Sequence, residues 1–165
     1  MNKVTPALWE RYPTPADLAQ ADVRDVEGII RTIGFFRTKA ANCVRCAQMV
    51  VADYAGEVPR DIDELQKLPG VGRKTANVVL NEAFGIVEGI AVDTHVFRIA
   101  HRLKFAGPSA DTPAKTEDAL LKLYPRECWG PVNHQWVLFG RQTCAARSPK
   151  CRECFLADLC PSRGA

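Results

Sequence analysis

Several features are missing from this 165-residue chain, and each omission narrows what it can be. No apolar run approaches the roughly 20 residues needed to cross a bilayer. The N-terminus has no basic stretch leading into an apolar one, so neither a membrane partner nor a secretory signal is expected. Period-two alternation of apolar and polar residues is nowhere sustained, which argues against sheet structure. There is no internal repeat and no low-complexity tract. The net charge is only +3, too small by itself to mark a nucleic-acid partner. What remains is the composition of an intracellular globular protein, 47% hydrophobic and 25% charged. Its length holds one ordinary domain or two small lobes.

The distribution of charge is more informative than its total. From Arg141 onward five basic residues (Arg141, Arg147, Lys150, Arg152 and Arg163) meet two acidic ones (Glu153 and Asp158), while the first 140 residues balance at 17 of each sign. A phosphate-facing patch is therefore sought in the C-terminal segment.

Helical periodicity runs through the chain. Residues 2–12 are predicted as a helix carrying Leu8 and Trp9. Thr14-Pro15 opens a second, with a hydroxyl cap and then proline in the first turn. Residues 22–32 place Val23, Val26, Ile29 and Ile30 on one face, and Gly34 ends that helix. A longer helix over Phe36 to Tyr54 bears Ala40, Val44, Ala47, Val50 and Val51. Thr112-Pro113 opens a helix running to about Tyr124, and Pro131 begins a last one through Gln142. The class is all-α. Cys43 and Cys46 share a helix face and read as buried thiols, as does Cys128.

The central motif is Leu68-Pro69-Gly70-Val71-Gly72-Arg73-Lys74-Thr75. Ile62, Leu65 and Leu68 form a short amphipathic helix before it, and a helix follows. Gly70 and Gly72 permit positive φ and close backbone approach. Such a turn at a helix N-terminus offers amide groups to a phosphate. It also serves as an ordinary helix–helix connection. Downstream, Val92-Asp93-Thr94-His95-Val96-Phe97-Arg98 puts a carboxylate at a helix start, where an N-cap is its ordinary role. In the tail, Cys144, Cys151, Cys154 and Cys160 lie within 17 residues. Disulfides do not suit an intracellular protein, which leaves a four-cysteine zinc site or a 4Fe-4S cluster. The six residues between the first two cysteines, rather than two to four, favour the cluster.

Taken together, the hairpin, the Val-Asp-Thr-His sequence and the cysteine spacing resemble the endonuclease III family of helix-hairpin-helix DNA glycosylases. The resemblance covers nearly the whole chain, from about Asn2 to Cys160. It implies a helical-barrel lobe over residues 1–110, with the helix-hairpin-helix at about 61–85, and an iron-sulfur cluster lobe over 111–165. The implied cofactor is a 4Fe-4S cluster on Cys144, Cys151, Cys154 and Cys160. The implied partner is damaged double-stranded DNA, and the implied activity is removal of oxidised pyrimidines with lyase cleavage of the strand.

Lys74 takes the role of nucleophile and Asp93 that of catalytic carboxylate, with burial beside the helix N-terminus expected to help keep the lysine amine neutral. Gly70, Val71, Gly72 and Arg73 form the phosphate-binding hairpin. His95 supports Asp93 or a phosphate. Phe35 is the candidate for the apolar wedge that fills the gap left by a flipped base, with core packing as the rival. Arg147 and Lys150, on the first loop between cysteines, are candidates for the DNA backbone, with solvated surface charge as the rival. Family members carry roughly 45 further residues upstream, including a Ser-Ala-Gln segment not found here, and helices missing there leave an apolar face of roughly several hundred Å². With those helices supplied, a monomer is expected.

Overall fold

The structure is a computed structural model that describes residues 3–164. Asn2, the first residue of the first expected helix, lies outside them. Among the described residues there is helix and turn but no strand. Contacts divide the chain into two compact units after Gly72.

The first unit holds α1 (Thr5–Arg11), α2 (Pro15–Ala19), α3 (Val23–Ile30), α4 (Phe36–Asp53) and α5 (Ile62–Lys67). Local chemistry sets the starts. The Thr14 hydroxyl accepts from the Asp17 amide while the Asp17 carboxylate accepts from the Thr14 amide, a reciprocal capping box. Asp22 and Asp61 cap α3 and α5. Helix α4 packs on α2 and α3, and α3 on α1. Val26, Ile30, Ala40 and Val44 form the buried centre, flanked by Leu8, Leu18, Val23, Ile33 and Phe36. Two expected apolar positions face outward: Trp9 is 65% exposed and Val51 is 38% exposed. Each adjoins an inward-facing residue, Leu8 or Val50, and consecutive residues on a helix point about 100° apart. Cys43 and Cys46 are half-buried rather than buried, and desolvation raises both thiols above their ordinary pKa.

The second unit contains α6 (Arg73–Phe84), α7 (Thr94–Arg102), α8 (Pro113–Leu123) and α9 (Trp129–Gln142). Short 3-10 turns occur at Arg126–Cys128, Cys151–Glu153 and Ala157–Leu159. Ile90, Val92, Val96, Ala100, Ala106, Ala110, Leu120 and Val132 make one core. Helix α9 begins two residues before Pro131. A proline is tolerated there because first-turn amides have no intrahelical acceptor. Cys128 is half-buried.

One ionisable contact in the first unit is testable. Asp25 Oδ2 accepts from Tyr12 Oη at 2.6 Å and from Arg11 Nε at 3.4 Å. The Tyr12 hydrogen bond, assisted by Arg11, holds the Asp25 carboxyl below its ordinary value. A lowered folded-state value contributes stability above the unfolded pKa, about 4, and loses it as pH falls through the folded value. Melting temperatures measured from pH 7 down to pH 3 should therefore fall more steeply for the wild type than for Asp25→Asn.

Candidate active site and cysteine loop

Within the first unit, α5 leads into the turn at Leu68–Gly72, where the Val71 amide donates to the Leu68 carbonyl at 3.1 Å. Gly70 is required twice over. Its φ is +80°, and a methyl there would stand 2.8 Å from Asn42 Nδ2. Gly72 does not share the expected property: its φ is not positive, and a methyl there would meet no protein atom within 4 Å. One left-handed residue is enough to reverse this turn. Phe35 sits at the start of α4 in the left-handed region, φ 57°, and is 86% exposed. Core packing is thus excluded for it.

In the second unit, α6 begins at Arg73 and carries Lys74 in its first turn. The expected burial of Lys74 is not found, and the residue is exposed. Its side chain precedes the point where Ala76, Asn77 and Leu80 turn α6 into the core. The Arg73 guanidinium pairs with Glu117.

Asp93 is the N-cap of α7. Its Oδ1 accepts from the His95 amide at 2.8 Å and the Val96 amide at 2.9 Å. Its Oδ2 takes no hydrogen bond among the described residues. Capping pins the rotamer and occupies one oxygen, leaving the other unbonded. The His95 ring Nδ1 lies 3.2 Å from Arg98 Nη2. A guanidinium only donates, so Nδ1 is the acceptor and Nε2 carries the proton. Gly140 allows α9 to approach this pair: a methyl there would come within 2.7 Å of His95 Nδ1 and 2.9 Å of Arg98 Nη2.

Arg98 and Arg102, one turn apart, were not singled out by the sequence, although two arginines at i and i+4 on an apolar-faced helix are a readable signal. Arg98 donates to the Cys144 carbonyl through Nη2 at 2.8 Å and Nε at 3.2 Å, and to the Gly140 carbonyl at 3.2 Å. Arg102 donates to the Ala145 carbonyl at 2.7 Å, the Ala146 carbonyl at 3.2 Å and the Cys144 sulfur at 3.2 Å. The beginning of the cysteine loop is thereby bolted to α7. All four tail cysteines are free, half-buried, and line one pocket with Ile99, Phe139, Leu156 and Ala157. Arg147 and Lys150 are exposed and in no ion pair among the described residues.

A helix–hairpin–helix turn, a capped aspartate and a four-cysteine pocket define a class of DNA repair proteins, and the comparisons agree. The sequence profile of the HhH-GPD superfamily base excision DNA repair protein matches residues 1–126. Endonuclease III of Synechocystis is 48% identical over 162 residues, covering 98% of this chain and 73% of that protein. Endonuclease III of Bacillus subtilis is 46% identical, covering 97% and 72%. A solved non-covalent endonuclease III–DNA complex superposes with a TM-score of 0.91 at 48% identity, covering 98% of this chain and 74% of that one. A trapped endonuclease III–DNA covalent intermediate gives 0.92 at the same identity, covering 98% and 75%. This chain belongs to the HhH-GPD superfamily of base excision DNA repair proteins, within its endonuclease III family.

Arg98→Ala should leave the Cys144 and Gly140 carbonyls without these donors, at a cost of about 1–3 kcal/mol. Hydrogen exchange should show residues 144–150 opening faster, while amides of the first unit keep their protection.

Proposed function

We propose that this chain is a base-excision DNA glycosylase with lyase activity, acting on oxidised pyrimidines in double-stranded DNA. The observation that carries the reading is Asp93, which spends one oxygen on capping α7 and keeps the other unbonded, in the same unit as Lys74 at the head of α6. The solved covalent intermediate of a 48% identical relative supports a covalent route.

The target nucleotide must leave the base stack before its sugar can be reached. The Lys74 amine attacks C1′ through its nitrogen lone pair, the bond from C1′ to the base breaks, and the base departs with that electron pair and a proton. Opening of the sugar ring leaves a Schiff base between C1′ and Nζ. Loss of a C2′ proton then expels the 3′ phosphate by β-elimination, and water releases the lysine. The Asp93 carboxylate stabilises positive charge developing at C1′ and accepts the proton that the amine gives up. The backbone of the Gly70–Gly72 turn suits a DNA phosphate. Val71 and Arg73 belong to that hairpin, His95 offers Nε2–H as a donor, and Phe35 is the exposed apolar wedge. Arg147 and Lys150 are free to meet the backbone.

Cys144, Cys151, Cys154 and Cys160 would hold a 4Fe-4S cluster. Four soft thiol donors in a largely apolar pocket fit such a group. When bound, the cluster supplies a four-point cross-link for the tail.

Borohydride trapping on a duplex with one abasic site tests the chemistry. The wild type should yield a covalent adduct, Lys74→Ala none, and Asp93→Asn an adduct formed about 100-fold more slowly. Folded wild type that binds the duplex but never forms an adduct would point instead to a non-catalytic DNA-binding protein. The purified protein should be yellow-brown and contain iron, and a colourless zinc protein would overturn the cluster assignment.

A further inference from the structure

One buried polar group in the second unit has no part in the chemistry above. Glu117, on α8, is 3% exposed. Its carboxylate accepts three hydrogen bonds from α6: Arg73 Nε at 2.7 Å, Arg73 Nη2 at 3.2 Å and Asn77 Nδ2 at 3.0 Å. Asn77 is itself 4% exposed, and its Oδ1 is buried without a partner. Gly89 closes the cluster from a third direction. A methyl there would overlap Glu117 Oε1 and stand 3.0 Å from both terminal atoms of the Asn77 amide.

Burying a carboxylate costs free energy even when it is paired, and an apolar residue of similar size is often no worse for stability. An orphaned amide oxygen adds to that cost. The placement of the group gives it a use. Arg73 directly precedes Lys74, and Asn77 lies one turn further along the same helix. Gly89 begins the buried run Ile90-Ala91-Val92 that delivers Asp93. One carboxylate therefore hydrogen-bonds the head of the lysine's helix and packs against the backbone four residues before the aspartate.

We infer that Glu117 is a positioning residue that fixes Lys74 with respect to Asp93 through Arg73, Asn77 and the backbone at Gly89. The inference rests on the reading of Lys74 and Asp93 as the catalytic pair. A misplacement of about 1 Å between reacting groups costs on the order of 100-fold in rate. An ion pair serving stability alone carries no such penalty once stability is restored.

The test compares single-turnover borohydride trapping, abasic-duplex affinity and melting temperature for the wild type, Glu117→Gln, Arg73→Lys, and the double variant Arg73→Gln/Glu117→Gln. Glu117→Gln should trap about 10- to 100-fold more slowly while binding the duplex within about twofold of wild type. The double variant, with no unpaired charge left buried, should regain melting temperature but not rate. Arg73→Lys keeps the charge at a partly exposed position and loses the two-pronged grip, so it should fold and still trap more slowly. It decides the matter if Glu117→Gln does not fold. Trapping at the wild-type rate in Arg73→Lys and Glu117→Gln, or a rate that recovers with melting temperature in the double variant, overturns the inference while leaving the catalytic pair in place. Unimpaired trapping by Lys74→Ala, or none by the wild type, overturns the catalytic reading and this inference with it.

Discussion

Helix α7 is held by charge at both ends, and the unit that carries the proposed chemistry depends on it. At the head, Asp93 satisfies two of the amides that every helix start leaves unpaired. Further along, Arg98 and Arg102 donate to carbonyls at Gly140, Cys144, Ala145 and Ala146. Between them the apolar stripe of Val96, Ile99 and Ala100 anchors the helix in the core. The loop after Cys144 has few apolar residues with which to offset the entropy of ordering itself. Its backbone acceptors are met by arginines from a helix that is already fixed. Order passes from the core to the loop through hydrogen bonds to charged donors, which are roughly twice as strong as neutral ones.

The same structure carries costs that a purely structural protein would avoid. Phe35 combines an exposed aromatic ring with a left-handed backbone, a conformation disfavoured for residues with a Cβ. Glu117 and Asn77 bury polarity in place of hydrocarbon. Backbone strain and buried polarity of this kind persist where the surrounding fold over-determines them, and they gather at functional sites.

Asp93 illustrates how one residue reconciles two roles that compete on paper. Its position before an apolar-periodic helix is the ordinary signature of a cap, and it is a cap. Capping consumes one oxygen and fixes the direction of the other, so the local structural role is compatible with the proposed chemical one. His95 is placed similarly, its backbone serving the cap and its ring oriented by Arg98.

What the sequence determined by itself is what depends on near neighbours along the chain. Caps at Thr14, Asp93 and Thr112, the amphipathic faces of α3 and α4, the turn at Gly70 and the cysteine spacing are legible because their partners lie within a turn or two. The resemblance carried by those same motifs supplied the family. Tertiary structure decided the rest. That Trp9 faces outward, that α7, α8 and α9 share one core across residue 110, and that Lys74 is exposed all depend on which helix faces pack together. The partners of Arg98, Arg102 and Glu117 are not legible in sequence for the same reason. These hydrogen-bond partners lie about 40 or more residues away, and no local preference encodes a contact at that separation. Only packing brings an arginine of α7 to a carbonyl of the cysteine loop, or a carboxylate of α8 to the head of α6.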